Sequence, residues 1–424
     1  MSIRPVTPDV SLAAKVAFLS GRAAHAGCAD QVEVIETHMS WVFLAGERVV
    51  KLKKPVCLPH LDFATLSRRR AACEAEYVLN RVLAPDVYLG VAPLVLGSGG
   101  LAVGGEGPAV DWVVLMRRLA SDGSLETRIL AGEISIPEID GVARLMSAFY
   151  RRARRAWRSP ALQLADYRRA VEENAKILLR PELQLPSGPV RYILAAQRRF
   201  LTRHADLLED RVRSGRLVDA HGDLRPEHIW PGVPPRVIDR LEFNARLRTQ
   251  DPLEELAFLD MELERIGALD VAERLVGGVV RALGERPRAQ LYGFYRCYKA
   301  TLRARLAIAH LLEPEPRFAE EWPRQARAYL SMAVADARAL AVGADKARSV
   351  WFTQMGRRRV SGLPSRISTS ETRWRELERL RGERQIVELV PTQAGATMET
   401  GGSEGGSARN ISADCRAAPQ NTRS

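Results

Sequence analysis

The ten residues His221–Trp230, HGDLRPEHIW, contain several side chains of types that carry out chemistry. Asp223 follows a short β-like run, LVDAH, and Arg225 lies two residues further on. Phosphoryl transfer needs a carboxylate near the attacking hydroxyl, metal ligands on the phosphates and positive charge near the transferred group. Asp223 is a candidate for the first of these roles, and Arg225 is placed to reach the phosphate from the same side.

A second carboxylate, Asp239, ends the next β-like run, RVID, beyond a turn of prolines and glycine at residues 231–235. If the two runs pair as a β-hairpin, Asp239 comes close to the loop that carries Asp223. Two carboxylates at one place are typical of a magnesium site, since Mg²⁺ prefers oxygen ligands. A surface turn is the structural alternative, and the combination of residues at this spacing favours the site.

The stretch HGDLRPEH resembles the HxDLxPxN catalytic loop of protein kinases and of the aminoglycoside/choline phosphotransferase-like family. His-Gly-Asp favours the latter, and RVID followed by LEF resembles its metal-binding segment. The residues DP and EELA, at 251–252 and 254–257, resemble the stretch that opens the family's next helix. The resemblance covers roughly residues 30–330. It implies a two-lobed, protein-kinase-like fold, ATP as the donor, Mg²⁺ and a small-molecule hydroxyl or amine as the acceptor, with Asp223 as catalytic base and Asp239 as the principal Mg²⁺ ligand.

Such a fold also implies a lysine on its third strand that contacts the α- and β-phosphates and pairs with a glutamate on a helix. Lys51 lies in the run VVKL, and strand alternation puts Lys53 on the same face about 6.6 Å further along. We favour Lys51, although the spacing leaves Lys53 open. Glu76 is the best match for the partner glutamate, and Glu74 is the alternative.

Two further segments are candidates for contacts with ATP. The turn at residues 36–40 lacks the glycines of a protein-kinase phosphate loop, but Thr37, Ser40 and the backbone amides can do that work. After the fifth predicted strand, Met116 and Arg117 resemble the hinge where the adenine docks by backbone hydrogen bonds.

His228 departs from the family motif, which has asparagine as a metal ligand at that position. Neutral imidazole suits softer transition metals better than Mg²⁺. Three roles for His228 are therefore left open. It is a ligand that favours Mn²⁺, or the site uses a single metal through Asp239, or, slightly preferred, His228 only anchors the loop by hydrogen bonds. Asn244 or Glu242 is a candidate for a missing oxygen ligand.

The pattern of the whole chain predicts an α+β protein with a small antiparallel β lobe and a large, mainly helical lobe. A helix capped by Ser11 is predicted near the N-terminus, and a longer helix, from about Thr65 to Leu83, follows the third of five strands. The glycine-rich stretch GSGGLAVGGEG is predicted to be a hairpin turn. The predicted units are an N-terminal helical extension (1–30), the β lobe (31–116), the helical lobe (117–345) and a largely disordered tail (346–424) with one possible helix at 369–381.

The long SWVFL…KLKKPV segment and the Glu-His end of the motif resemble a bacterial subgroup of the family. Its members often carry a second, P-loop ATP-binding domain further along the chain. No GxxxxGK[ST] motif occurs among the 424 residues. We therefore expect that second domain to be absent.

The composition limits the remaining function classes. No run approaches the roughly 18 apolar residues of a membrane span, so we expect a cytoplasmic protein without a membrane partner. The five cysteines form no CxxC pair, which argues against a cysteine zinc site. A net charge of +12 permits a polyanion, but no recognised module supports binding of nucleic acid. The second hypothesis is a nucleotide-binding pseudokinase or regulator without turnover, and the acceptor and oligomeric state remain open.

Overall fold

The computed structural model describes residues 10–25, 31–58, 60–314, 316 and 318–341, all within one unit of the chain, Met1–Ile386. Its first three strands, Glu33–Glu36 (β1), Ser40–Ala45 (β2) and Arg48–Lys53 (β3), form an antiparallel meander. Gly46, with a φ of 54°, occupies the tight turn between β2 and β3, where glycine accepts a positive φ at little cost. The meander predicted for residues 31–54 is confirmed. The predicted tail from residue 346, with its helix at 369–381, lies outside the described residues.

Three more strands complete this sheet: Tyr88–Gly97 (β6), Gly100–Val103 (β7) and Ala109–Arg117 (β8). The strand order is β1-β2-β3-β8-β6-β7. A separate two-stranded ribbon pairs Cys57–Leu58 (β4) with Leu61–Asp62 (β5). The prediction that the glycine-rich stretch is only a turn was wrong, because its centre forms β7. Leu101 and Val103 pack against the core of the sheet. The strand has only four residues and is flanked by glycines, so its alternation of inward and outward side chains is difficult to recognise in the sequence.

One helix packs on each face of the sheet. Helix α1, Leu12–Ser20, is capped by Ser11 as predicted. Its Leu19 packs against Phe43 of β2 and Leu52 of β3. Leu66–Asn80 (α2), capped by Thr65, packs Cys73 against Val49, Val114 and Met116 on the other face. Strand alternation therefore directs Val50 and Leu52 toward α1, and Lys51 and Lys53 toward α2.

Most of the chain after β8 is helical. The helices are Leu125–Leu130 (α3), Ile136–Arg152 (α4), Pro160–Leu178 (α5), Ser187–Arg203 (α6), Ala205–Arg213 (α7), Ala245–Arg248 (α8), Pro252–Arg265 (α9), Leu269–Ala282 (α10), Ala289–Ala309 (α11) and Glu321–Ala341 (α12). Helix α9 lies at the centre, and every residue from Pro252 to Leu263 is buried. A fully buried helix needs partners for each of its polar groups, and several of those partners belong to the site described below.

Four two-residue strands hold the HGDLRPEH segment: Val218–Asp219 (β9), Ile229–Trp230 (β10), Arg236–Val237 (β11) and Thr249–Gln250 (β12). The prediction that LVDAH pairs with RVID was wrong. Strand β9 pairs with β12, whereas β11 pairs with β10, at the end of the motif itself. The turn at 231–235 is short, so it joins strands that begin immediately on either side of it.

No helix in the part of the chain that the structure describes has the length and apolar character needed to cross a membrane. Cys73 is a buried thiol on α2. The predicted α+β, two-lobed fold class is confirmed, with the small antiparallel sheet preceding the large helical part.

Candidate active site

Three charged residues that are distant in sequence meet where the sheet faces the helical part. The ammonium group of Lys51, on β3, lies 2.8 Å from Glu76 Oε1 on α2 and 3.1 Å from Asp239 Oδ1 beyond β11. The side chain of Lys51 retains 17% exposure, and that of Asp239 retains 48%. Lys51 therefore joins the buried glutamate to a carboxylate that is open to solvent.

Lys53 pairs with the same glutamate from a deeper position. Its ammonium lies 2.6 Å from Glu76 Oε2 and also binds the carboxylate of Glu242. The side chain of Lys53 is only 1% exposed, so it is enclosed between two carboxylates. Both lysines left open by the sequence thus contact Glu76, but only Lys51 faces Asp239 and the solvent. Glu74, the alternative partner, instead pairs with Arg70 on the surface of α2.

The charges in this cluster stabilise one another. Lys51 holds the pKa of Asp239 far below its usual range. Burial raises the pKa of Glu76, but Lys51 and Lys53 outweigh burial and leave it lowered. Burial lowers the pKa of Lys51, and Asp239 and Glu76 outweigh it, so that this pKa lies well above its usual value. The groups are therefore charged near neutral pH.

The different environments of the two lysines predict different losses of stability for matched substitutions. Lys53→Met leaves Glu242, which is nearly buried, without its cation, and we expect a loss of about 3–5 kcal/mol in the free energy of unfolding. Lys51→Met leaves Glu76 paired with Lys53 and Asp239 exposed to water, so the loss is expected to be smaller. Chemical denaturation of both variants measures the difference. A greater loss in Lys51→Met would contradict the assignment of Lys53 as the structural lysine.

The loop that carries Asp223 is fixed by buried polar contacts rather than by the Asp223 carboxylate. The ring of His221 donates from Nε2 to the carbonyl of Ile238 and accepts at Nδ1 from the amide of Asp223. Glu255, on α9, accepts from the amides of His221 and Gly222 at 3.1 and 2.6 Å. The Asp223 side chain is 27% exposed, which suits a group that must meet a substrate.

Glycine is required at position 222. Its φ is +96°, and a Cβ built there would lie 2.8 Å from the side chain of Leu241. The loop can therefore turn close to the segment after β11 only with glycine at this position.

His221 makes the stability of the fold depend on pH. Burial lowers the pKa of His221 to about 3, whereas an unfolded histidine titrates near 6.5. Between these values the unfolded chain binds the extra proton, so stability falls as the pH falls. From pH 7 to pH 5 we expect His221 to reduce the free energy of unfolding by about 2 kcal/mol.

Denaturation of wild type and His221→Gln at both pH values isolates this contribution. The buried carboxyls of Glu242 and Glu255, whose pKa values burial raises, act in the opposite direction in both proteins. The wild type is expected to lose about 2 kcal/mol more than the variant over this range. Equal losses would contradict a buried, neutral His221.

His228 lies between the backbone of the Asp223 loop and the carboxylate of Asp239. Its Nδ1 donates to the backbone carbonyl of Asp223 at 2.8 Å, since a carbonyl oxygen only accepts. In the neutral ring this leaves the lone pair on Nε2, which lies 3.7 Å from Asp239 Oδ2. The hydrogen bond expected of an anchoring role is present, and the other nitrogen remains directed toward Asp239. One nitrogen therefore serves the loop while the second is oriented as a ligand would be.

Asp239 has a backbone conformation that is uncommon outside glycine. Its φ is +63°, in the left-handed region, which aspartate and asparagine tolerate better than other residues. Its amide donates to the hydroxyl of Tyr88 at 3.2 Å. Asn80, on α2, accepts from the next amide, that of Arg240, at 2.8 Å. These contacts fix the turn that directs the Asp239 carboxylate toward Lys51 and His228.

Several other predicted site residues have partners within the chain. Arg225 pairs with Glu227 next to it, and its pKa is raised, although burial opposes this. The hydroxyl of Thr37 donates to the carbonyl of Ser40 and accepts from the amide of Ser40, both at 3.0 Å. Ser40 itself is buried. The structure thus uses the Thr37 hydroxyl to close the first turn.

The predicted hinge residues lie at the end of β8. Met116 is paired on both sides, opposite Val49 and Tyr88. The amide of Arg117 donates to the carbonyl of Val87, and that of Arg118 to Glu47. These hydrogen bonds fix the end of β8, where the chain passes to the helical part.

Glu242 and Asn244, the candidates for a further oxygen ligand, have partners within the chain. Glu242 binds Lys53, and Asn244 caps α8 by accepting from the amide of Arg246 at 3.0 Å.

Sequence reasoning did not identify Glu255, Tyr88 or Asn80 as part of the site. Glu255 carried the clearest signal, because a carboxylate on a helix buried along its length needs hydrogen-bond donors. Tyr150 supplies one at 2.8 Å, and the loop amides supply the others. Tyr88 and Asn80 gave no signal by spacing, because they meet the amides of Asp239 and Arg240 only in the folded chain.

No protein-family model matches the chain. Uncharacterised proteins of Mycobacterium bovis and Mycobacterium tuberculosis are 32% identical over 293 residues, which is 68% of this chain and 57% of theirs. The chain thus spans little more than half the length of these curated relatives.

The solved structures to which the chain is similar share little sequence with it. A choline/ethanolamine kinase family protein from Mesorhizobium loti is 18% identical, with a TM-score of 0.41 over 74% of this chain and 94% of its own. A putative aminoglycoside phosphotransferase from Ralstonia eutropha is 16% identical, with a TM-score of 0.43 over 77% and 98%. The GDP complex of aminoglycoside 2'-phosphotransferase-IIIa is 14% identical, with a TM-score of 0.44 over 76% and 97%. At these scores the fold assignment depends on the chain's own topology.

That topology defines the class of protein. A six-stranded antiparallel sheet with a lysine on its third strand, paired to a glutamate on the following helix, precedes a helical part that carries the HGD loop. The chain has the two-lobed, protein-kinase-like fold. Its HGDLRPEH loop resembles the catalytic loop of the aminoglycoside/choline phosphotransferase-like family.

Proposed function

We propose that the chain transfers the γ-phosphoryl group of ATP to a hydroxyl group of a small molecule. The observation that carries the proposal is the convergence of Lys51, Glu76 and Asp239, from three separate elements, beside the loop that holds Asp223. Those are the charges that phosphoryl transfer requires: a cation for the phosphates, a carboxylate for a metal and a carboxylate for the acceptor.

Each residue would have a distinct role. Lys51, held by Glu76, would bind the phosphates of the nucleotide. Asp223 would orient the acceptor hydroxyl and take its proton as the oxygen forms its bond to the γ-phosphorus and the bond from that phosphorus to the bridging oxygen breaks. Arg225, paired with Glu227, would contribute positive charge from the same loop.

The donor atoms beside Asp239 fit a divalent metal ion. The carboxylate of Asp239 is half-exposed and charged, and His228 directs Nε2 toward it. Asp239 and His228 would hold Mg²⁺ or Mn²⁺, which when bound neutralises phosphate charge. The imidazole nitrogen beside the carboxylate oxygen favours Mn²⁺ over Mg²⁺, because Mg²⁺ has the stronger preference for oxygen ligands.

A nucleotide-binding protein without turnover is the second candidate. It is supported by His228 in place of the family's asparagine and by the use of the Thr37 hydroxyl within its own turn. It predicts that ATP raises the unfolding temperature while no phosphoryl transfer occurs.

A nucleotide-consumption screen separates the two candidates. The purified chain is incubated with ATP or GTP and a panel of small-molecule alcohols and amines, in Mg²⁺ and in Mn²⁺. Acceptor-dependent nucleotide consumption is the expected result. Stabilisation by nucleotide without consumption over the panel would favour the second candidate, and neither effect would contradict both.

A further inference from the structure

A second cluster of ligand-type side chains lies outside the candidate active site. His38 is in the turn between β1 and β2, whereas His310 and Glu313 follow α11 in the helical part. One nitrogen of each histidine and a carboxylate oxygen of Glu313 lie within 4.8 Å of one another. The cluster therefore joins the two parts of the fold.

Local structure fixes the half of the cluster that follows α11. The chain continues from the helix into a 3-10 turn, and the amide of Glu313 donates to the carbonyl of His310 at 3.2 Å. This turn puts the two side chains on the same side, with His310 Nδ1 2.7 Å from Glu313 Oε1. Trp322 packs against the His310 ring, with centroids 4.3 Å apart. His310 is thus held in place by its neighbours.

His38 completes the cluster from the sheet. Its ring stacks on that of His310, with centroids 4.3 Å apart and planes 9° from parallel, and its Nδ1 lies 3.6 Å from Glu313 Oε1.

Two imidazole nitrogens and one carboxylate oxygen form a donor set that suits zinc and neighbouring transition metals. Around a tetrahedral zinc ion, ligand atoms lie about 3.3 Å apart. His310 Nδ1 and His38 Nδ1 lie 2.7 and 3.6 Å from Glu313 Oε1. The His38 and Glu313 side chains are 54% and 40% exposed, which leaves both free to rotate toward an ion.

We propose that a divalent transition-metal ion of the zinc type binds between His38, His310 and Glu313 and links the first turn of the sheet to the end of α11. The turn also carries Thr37 and Ser40, beside the cleft where the nucleotide is proposed to bind. The ion would hold this turn against the helical part and so restrict opening of the cleft. Binding of the ion does not depend on the proposed phosphotransferase activity.

Zinc binding to the whole chain tests the proposal directly. Calorimetric titration with Zn²⁺ in excess Mg²⁺, with no nucleotide present, is expected to give one site per chain. His38→Ala is expected to weaken that site at least about tenfold, as are His310→Ala and Glu313→Gln. His204→Ala, which removes an exposed histidine elsewhere, is the matched control and is expected to bind as wild type does.

Two further measurements locate the ion. Zn²⁺ is expected to raise the unfolding temperature of wild type but not of His38→Ala, whose stability without metal should match wild type because the side chain is exposed. Co²⁺ is expected to give a visible absorption spectrum of tetrahedral type in wild type that His38→Ala loses. Undiminished zinc affinity in His38→Ala, or loss of the site in His228→Asn instead, would overturn the proposal.

Discussion

Asp223→Asn is expected to lower kcat by about 10²–10⁴-fold, with the affinity for nucleotide unchanged. The substitution keeps the size of the side chain and removes its ability to accept the proton of the acceptor hydroxyl. The loop is fixed by His221, His228 and Glu255 through backbone groups, so its shape does not depend on the Asp223 carboxylate. Steady-state turnover with an acceptor from the screen and calorimetric titration of nucleotide measure the two quantities separately.

Asp210→Asn provides the matched control. Asp210 is an exposed aspartate on α7 that forms a surface ion pair with Arg213, and we expect no effect on either quantity. If Asp223→Asn retained wild-type turnover, Asp223 would not be the base and the proposed mechanism would be wrong. If it lost nucleotide binding as well, the carboxylate would act on the nucleotide rather than on the acceptor.

The sequence predicted the parts of the site that depend on short-range pattern. Alternation along β3 put Lys51 and Lys53 on one face, and helical spacing on α2 selected Glu76, with which both lysines pair in the structure. These predictions succeed because a strand alternates its faces strictly, and the core decides which face is inside. The same alternation left the choice between the lysines open, since both satisfy it.

Contacts between distant segments were not predictable in this way. Strand β9 pairs with β12 rather than with the segment that follows the turn at 231–235. This pairing depends on the packing of α8 and α9, which lie on either side of β12 in the sequence. Lys53 meets Glu242 across 189 residues, and nothing in either neighbourhood marks the pair. Such contacts follow from the packing of whole elements, which a local pattern does not encode.

His228 shows how the structure changes a question that the sequence poses. The sequence sets metal ligation and anchoring of the loop as alternatives. The hydrogen bond from Nδ1 to the Asp223 carbonyl fixes the ring and its tautomer, and thereby directs the lone pair of Nε2 toward Asp239. A second hydrogen bond of this kind is common behind metal-ligating histidines, so the anchoring contact supports ligation rather than competing with it.

Asp239→Asn is expected to reduce kcat by about 10³-fold, the equivalent of roughly 4 kcal/mol in transition-state stabilisation. Asparagine tolerates the left-handed backbone at this position, so the turn should persist where alanine would strain it. Lys51 keeps Glu76 as a partner, and the Asp239 side chain is half-exposed, so folding stability should change little. The variant should also lose affinity for Mn²⁺, measured without nucleotide by electron paramagnetic resonance.

Asp86→Asn is the control for Asp239→Asn. It removes a carboxylate that forms an ion pair in the same part of the fold but is not proposed to bind the metal. Asp86 binds Arg236 on β11 and is 34% exposed, so its loss removes a neighbouring carboxylate of similar accessibility. Turnover and Mn²⁺ affinity close to wild type are expected for this control. If Asp239→Asn kept its Mn²⁺ affinity, the metal would bind elsewhere. If it instead lost affinity and retained turnover, the reaction would not need the ion at Asp239, and the role assigned to this carboxylate would be wrong.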